Sequence, residues 1–284
     1  MKPASFIYHR PTSLDEILGL LDEHGDEAKV LAGGQSLVAA MNFRLARPSM
    51  LIDANNIPEL SGISVDGNHL VIGALTRHAT FHKPVVNNPV GDLLSRVVQS
   101  IAHYPIRQRG TFGGSLCHAD PASEWCLTSI VLDAEMLIES KAGKRRVSAK
   151  EFFKGTFTTA VKSNELLTQI RLPLGSPAFR GGFYEFSRRK GDFALAMSLV
   201  ALELDGSRIR SARIGLGGVA DKPIRLSSIE AGLIGQRADA STFEAVAAEA
   251  SNLITPTSDI HGTSEYRKDL IKPVLVRALT EAAA

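Results

Sequence analysis

Apolar positions along the chain alternate between a helical and a strand period, and the switches divide it into three segments. In the first, Leu14, Ile17, Leu18 and Leu21 recur at spacings of three and four, which predicts an amphipathic helix. Ser13 stands three residues ahead of Glu16, the spacing of a capping box, and Gly25 supplies the stop. Residues 29–32 form a short apolar run that ends in Gly33-Gly34, 36–46 return to a helical period ended by Pro48, and 50–54 read as a strand. The second segment opens with a strand at 69–75. Thr76 is placed to cap a helix after that strand, Asn87-Asn88-Pro89 interrupt, and 90–103 read as a helix. A glycine-rich loop then runs through Ser115, and Pro121 suits the first position of a helix carrying Trp125, Leu127, Ile130, Val131 and Leu132. Strands come next at 135–139 and 165–172. Gly175-Ser176-Pro177 marks a boundary. Beyond it come a strand at 182–188, a long hairpin of 194–204 and 208–217 with Asp205-Gly206 at its turn, and helices at 226–233, 242–253 and 264–281. Pro273 is expected to kink the last of these. The chain shows neither an internal repeat nor a low-complexity tract.

Composition narrows the classes. With 284 residues the chain can bury a full core in two or three subdomains. A formal charge of +2 argues against nucleic acid as the main partner, and Lys144-Arg145-Arg146 reads as a hairpin edge. No apolar run reaches membrane-spanning length, and residues 1–10 lack the apolar core of a signal peptide, so a cytoplasmic location is the expectation. Two cysteines, Cys117 and Cys126, are too few for an iron–sulfur cluster and read as buried, reduced thiols.

The candidate chemistry lies in two glycine pairs. Gly33-Gly34 falls between a strand and a helix and is followed by Ser36, with Lys29 nearby. Gly113-Gly114 is preceded by Arg107, Arg109 and Thr111 and followed by Ser115, His118, Asp120 and Glu124. Missing Cβ atoms let a backbone turn sharply, and consecutive amides in such a turn make a positive concavity for a phosphate. Each pair alone also fits a plain turn or cap, with Asp120 a natural N-cap before Pro121. Together they suggest a long diphosphate ligand gripped from two sides. Other motifs are weaker. Gly215-Leu-Gly-Gly-Val-Ala220 fits a dinucleotide fingerprint, but Pro223 denies it the helix that such a site needs. His78 and His82 lack the glutamate of a zincin, and Cys117, His118, Asp120 and Cys126 match no zinc spacing. Gly-x-Ser-x-Gly is absent.

At Ala32-Gly33-Gly34-Gln35-Ser36-Leu37 and along residues 106–124, Ile-Arg-Gln-Arg-Gly-Thr-Phe-Gly-Gly-Ser-Leu-Cys-His-Ala-Asp-Pro-Ala-Ser-Glu, the chain resembles the FAD-binding medium subunit of the molybdenum hydroxylases, the xanthine dehydrogenase and carbon monoxide dehydrogenase family. The likeness runs from Tyr8-His-Arg-Pro11 through Ser187-Arg-Arg-Lys-Gly-Asp-Phe-Ala194 to the helical C-terminus. It implies an α+β fold: a two-subdomain FAD-binding domain of the vanillyl-alcohol-oxidase-like (PCMH) type over residues 1–175, divided at about 56. A C-terminal domain spans 176–284, with a three-stranded antiparallel sheet and a helical bundle. By the same resemblance Val30, Leu31, Ala32, Gly33, Gly34, Gln35, Ser36 and Leu37 wrap the diphosphate. Ile101, Ala102, Thr111, Gly114 and Ser115 contact FAD, and His118, Asp120 and Glu124 hold its diphosphate, ribityl or adenosine side. Leu167 and Tyr184 lie near its ends. Phe112 stands where a smaller aliphatic residue is common, a change expected to alter packing. A branched side chain at Gly114 is expected to occupy ligand space.

The resemblance also implies what lies elsewhere. Substrate is hydroxylated on a large subunit with a molybdenum cofactor, a small subunit carries two 2Fe–2S clusters, and FAD on this chain relays electrons to a terminal acceptor. The assembly implied is a dimer of heterotrimers, with no catalytic acid or base for hydroxylation on this chain. The competing expectations are a self-sufficient flavin oxidase or reductase and a flavin-free scaffold.

Overall fold

The computed structural model describes all 284 residues, Met1–Ala284. The first segment is a small parallel sheet. Strands β1 (Ile7–His9), β2 (Ala28–Leu31) and β3 (Met50–Asp53) lie in the order β1-β3-β2, joined through helices α1 (Leu14–His24) and α2 (Leu37–Asn42). The capping box forms: the Glu16 amide donates to Ser13 Oγ at 3.2 Å, and the Glu16 carboxylate reaches back to the Thr12 amide at 2.8 Å. Ile17, Leu18 and Leu21 bury the inner face of α1 against Ala28, Met50 and Ile52. Helix α2 is shorter than its sequence suggests, ending at Asn42 with Arg44 in the left-handed region.

The second segment is a five-stranded antiparallel sheet. It comprises β4 (Ile63–Asp66), β5 (His69–Gly73), β6 (Glu135–Ser140), β7 (Gly143–Ser148) and β10 (Leu166–Pro173), in the order β4-β5-β10-β6-β7. Lys144-Arg145-Arg146 does sit on an edge, in β7. Between β5 and β6 run helices α3 (Pro89–Val97), α4 (Tyr104–Arg109), α5 (Phe112–His118) and α6 (Glu124–Val131). A short helix α7 (Ala149–Phe152) and the two-stranded β8 (Phe153–Gly155) and β9 (Thr158–Thr159) precede β10. Trp125 is fully buried, stacked on Phe112 at 4.7 Å between ring centres and tilted against Phe81 at 5.2 Å. Phe112 therefore packs in the core, as the sequence suggests.

The third segment pairs β11 (Phe179–Phe186), β12 (Ala196–Asp205) and β13 (Arg208–Gly217) antiparallel, and β13 carries a two-residue fourth strand, β14 (Ile224–Arg225). Helices α8 (Ser227–Leu233), α9 (Ala240–Leu253) and α10 (Ser264–Ala283) complete it, with α10 packed across β11 and β12. The approach is close because Gly182 has no side chain: a Cβ there would stand 1.9 Å from the Ala278 carbonyl. Glu281 at the end of α10 accepts from Arg96 of α3 at 2.7 Å and from the Phe183 amide at 2.8 Å. Met197, Leu199 and Ala201 of β12 share one core with α3 and α6, so the boundary near Gly175 is a change of sheet and the hydrophobic interior continues across it.

Several local expectations yield to tertiary contacts. The Thr76 hydroxyl does not cap a helix. It bridges the amide and carbonyl of Gly62, at 3.0 and 2.9 Å, and a 3-10 turn comes after it at His78–His82. The helix predicted over 90–103 stops at Val97, because the chain turns through Ala102 at φ 42° before α4 begins. Helix α6 starts at Glu124 behind Ser123, so Pro121 and Asp120 lie in the preceding turn. There Asp120 accepts from the Ala122 amide at 2.8 Å and the Pro121 carbonyl accepts from Gly218 at 2.9 Å. Cys126 is buried as anticipated, whereas Cys117 is exposed. Pattern alone does not signal β1, β4, β8 or β9, which are short and mostly exposed.

Candidate functional site

Between the end of β2 and the start of α2 the chain makes a tight turn through Ala32-Gly33-Gly34-Gln35-Ser36. Gly34 sits at φ 74°, a conformation that favours glycine. Gly33 lies against the connection between α4 and α5, where a Cβ would come within 2.3 Å of the Arg109 carbonyl. The amides from Gly33 to Leu37 donate to no group within the chain. The Gln35 side chain folds back instead, its amide nitrogen donating to the Gly33 carbonyl at 3.1 Å. Consecutive unspent amides on a turn with a left-handed residue are a ready anion cradle.

A polar frame holds this turn from behind. Asn55 donates to the Ala32 carbonyl at 2.9 Å and accepts from Arg77 at 2.6 Å, and Arg77 also donates to the Arg109 carbonyl. Asp53 anchors Asn55 through the Asn55 amide at 3.0 Å and accepts from the Tyr8 hydroxyl. Burial works to raise the Asp53 carboxyl, but the hydrogen bonds from Tyr8 and Asn55 outweigh it and hold the group below the ordinary carboxylate range. None of Asn55, Arg77 and Asp53 belongs to a motif, and only their convergence in space marks them.

The second glycine stretch differs from its sequence reading. It is not a loop of free amides but the opening of α5. Thr111 caps the helix by accepting from the Gly114 amide at 3.0 Å. The Phe112 and Gly113 amides donate to the carbonyls of Thr76 and Ala74, both at 2.9 Å, and the Ser115 amide to Thr111 at 3.1 Å. The amides from Phe112 to Ser115 are all spent, so the glycines here serve close packing. A Cβ on Gly113 would strike Ala74 at 2.6 Å. A Cβ on Gly114 would meet Thr111 Oγ1 at 2.6 Å, with Ala32 Cβ 3.7 Å away. A side chain at Gly114 thus breaks the helix cap before it fills any ligand space. The two stretches do meet, one as cradle and the other as the wall against it.

The remaining sequence candidates lie on other elements, each with its own partners. Cys126 of α6 approaches the Ser115 carbonyl at 3.5 Å, tying α5 to α6. The His118 ring lies 4.8 Å from Phe157, and burial lowers its pKa. Glu124, in the first turn of α6, reaches Glu185 on β11. Tyr184, the neighbour of Glu185, carries the Arg277 guanidinium 4.5 Å from its ring centre and accepts a hydrogen bond from it at the hydroxyl. Ser100, Tyr184, Glu185 and Lys190 line a recess of about 320 Å³ beside it. Ile101 and Ala102 form the turn after α3, and Arg107 Nη1 donates to both carbonyls at 2.8 Å. Gly191, on the loop after β11, faces that turn so closely that a Cβ would lie 2.6 Å from the His103 ring. Leu167 is different: only 3% exposed, it packs in the core at the bulge of β10, which supports α5. No group of three or more His, Cys, Asp or Glu residues is arranged to hold a metal ion.

Under the α4–α5 connection lies His78, almost wholly buried. Its Nδ1 accepts from the Trp125 indole at 3.0 Å. Burial, with Arg107 and Arg77 nearby, pushes its pKa down to about 3. The unfolded chain binds this proton near the ordinary value of 6.5 and the folded chain does not, so stability is full above 6.5 and falls as pH drops toward 3. The expected slope is about 1.4 kcal/mol per pH unit at most inside that window. His78→Gln, which keeps an acceptor for the indole, is expected to flatten the fall. Thermal unfolding midpoints of both proteins between pH 7 and pH 4 check it, and parallel curves contradict it.

A nest of free amides with a helix wall pressed against it suits an extended anionic cofactor. The comparisons with known proteins specify which. Residues 4–175 match the family model for the FAD binding domain in molybdopterin dehydrogenase, and residues 182–282 that for the CO dehydrogenase flavoprotein C-terminal domain. The caffeine dehydrogenase subunit beta of Pseudomonas sp. (strain CBB1) is 37% identical, over 100% of this chain and 96% of that one. The carbon monoxide dehydrogenase medium chain of Hydrogenophaga pseudoflava is 34% identical over 100% and 99%. Among solved structures, a carbon monoxide dehydrogenase chain from H. pseudoflava superposes with a TM-score of 0.95 at 35% identity, covering 99% of this chain and 98% of that one. A chain of quinoline 2-oxidoreductase from Pseudomonas putida 86 gives 0.93 at 38%, covering 100% and 98%. The chain belongs to the FAD-binding medium subunits of the molybdenum hydroxylase family, and is an oxidoreductase subunit of a multi-subunit enzyme. No helix is long and apolar enough to cross a membrane.

Proposed function

We propose that this chain carries FAD in the cleft between the Gly33–Leu37 turn and the α5–α6 wall. There it relays electrons from the 2Fe–2S clusters of a small subunit to a terminal acceptor, while a large molybdopterin subunit hydroxylates the substrate. The observation that carries the reading is the run of unspent amides from Gly33 to Leu37, facing a helix so near that a Cβ on its Gly114 would touch Ala32. A diphosphate fits such a cradle, and a Cβ at Gly33 or Gly34 would disturb it.

The residues divide the work. Val30, Leu31, Ala32, Gly33, Gly34, Gln35, Ser36 and Leu37 hold the diphosphate, mainly through backbone donors. Thr111, Gly114 and Ser115 form the wall, with Thr111 also fixing the start of α5. Ile101 and Ala102 present the turn that Arg107 clamps, and His118, Asp120, Glu124 and Tyr184 make the polar rim. Leu167 supports this arrangement from the core. When bound, FAD accepts electrons singly and passes them on in pairs, and the protein orients it and limits water at its edges. The working division is residues 1–175, with subdomains meeting near 56, and 176–284. The assembly is a dimer of heterotrimers in the cytoplasm.

The test is isolation of the tagged chain from its native host. The expected result is co-purification of a cluster protein and a molybdenum protein, with flavin and iron–sulfur absorption in the visible spectrum. A chain that always isolates alone and oxidises a substrate unaided, or one that is colourless and free of flavin, overturns it.

A further inference from the structure

Glu124 and Glu185 come from different halves of the molecule. Glu124 stands in the first turn of α6, and Glu185 on β11, directly beside Tyr184. The two carboxyls lie within hydrogen-bonding reach of one another. Glu185 Oε2 is buried and has no hydrogen-bond partner. The surrounding charges do not neutralise them. Asp120, on the turn before α6, adds a negative charge facing Glu124. Lys190 lines the recess beside Glu185 without pairing with it, Arg277 of α10 is committed to Tyr184, and β12 places uncharged Met197 opposite Glu185. Two desolvated carboxylates in contact, with no counter-ion, repel one another unless a proton lies between them.

We propose that Glu124 and Glu185 share one proton across the joint between the FAD-binding domain and the C-terminal sheet, and that where alkaline pH has removed this proton the pair takes it back up from solvent when electrons enter the adjacent cleft. The inference rests on the cleft being the FAD site. The balance is simple. The doubly ionised pair gains one proton and its charge goes from minus two to minus one, while the electrons stay on the cofactor. Negative charge arriving beside the pair strengthens its hold on the proton, so the uptake follows from electrostatics. Burial first, and then like charge, move both carboxyls up from the ordinary carboxylate range, so the pair holds its proton through neutral pH and the coupling shows on the alkaline side.

Three readouts test this. In the purified complex, the flavin midpoint potential followed by spectroelectrochemistry is expected to show an extra one-proton bend at alkaline pH, and Glu185→Gln removes that bend. In the full chain without cofactor, infrared difference spectra are expected to show the carbonyl stretch of a protonated carboxyl at pH 7, shifted in heavy water and absent in Glu185→Gln. This second readout stands even where flavin fails to bind, so it separates the pair from the cofactor assignment. Third, the folded pair holds a proton that the unfolded chain releases, so wild-type stability falls as pH rises through the neutral and alkaline range. Glu185→Gln is therefore expected to melt several degrees higher than wild type at pH 8.5 and at the same temperature at pH 5. Two carboxyls titrating in the ordinary range, or a potential–pH profile and melting curves unchanged by Glu185→Gln, overturn the proposal.

Discussion

Alanine at Gly33 is expected to give a subunit that folds but no longer retains flavin. The added Cβ would lie 2.3 Å from the Arg109 carbonyl oxygen and 2.7 Å from Gly110 Cα. Both neighbours are backbone, so no side chain can rotate out of the way. The turn must retreat from the α4–α5 connection, which moves the free amides of Gly33–Leu37 away from their wall. Overpacking of this kind costs about 1–3 kcal/mol. That corresponds to a fall of roughly 2–10 °C in melting temperature for a chain of this size. The effect on the cofactor is larger, because a shift of one ångström misplaces every donor in the cradle together. Flavin-to-protein ratio after gel filtration, with a thermal melt, measures both. Gly232→Ala is the control: nothing lies within 4 Å of its Cβ, and near the C-terminal end of α8 it is expected to be neutral or slightly stabilising. A Gly33→Ala protein with wild-type flavin content and melting point would contradict the account of the turn.

Replacement of Arg107 with leucine is the second large effect. Arg107 Nη1 donates to the carbonyls of Ile101 and Ala102, and its Nε donates to His82. The contact with His82 needs a neutral imidazole, and burial followed by the Arg107 charge lowers the pKa of that ring. Loss of charged donors to buried carbonyls costs about 1.5–3 kcal/mol. Ala102 adds to this, because at φ 42° it occupies backbone space that alanine seldom takes without support. The freed turn is expected to relax, drawing Ile101 from the cleft and loosening the Gly191 loop that packs against it. Flavin binding should weaken about tenfold or more, the equivalent of 1.4 kcal/mol. Ala102→Gly in the same background tests the cause: relief of the left-handed strain should restore part of the lost stability. Equal flavin affinity and an unchanged melt in Arg107→Leu would show that the clamp is idle.

The division between local and tertiary information can be traced residue by residue. The α1 helix with its Ser13–Glu16 box, the turn at Gly33-Gly34 and the β12–β13 hairpin were all legible, because each rests on contacts a few residues apart. The order of elements was legible for the same reason. The resemblance at residues 32–37 and 106–124 supplied the family and its cofactor, which the comparisons support over the whole chain. Periodicity alone would not have done so. Arg107 stood in view beside the second glycine pair, but nothing local showed that its guanidinium folds back onto a turn five and six residues earlier.

Sequence by itself determined where the chain turns, which faces are apolar and which residues lack a side chain, since these depend on local backbone preference and on spacing. Only the tertiary structure decided which glycine pair keeps its amides free. Gly113 donates to Ala74 and Phe112 to Thr76, partners nearly forty residues away, whereas Gly33 to Leu37 have none. It also decided that Glu124 meets Glu185 and that Arg77, Asn55 and Asp53 form one frame. A hydrogen-bonding group is spent or free according to what packs beside it, and that neighbour is chosen by the burial of three sheets against one another and by no rule of short-range spacing.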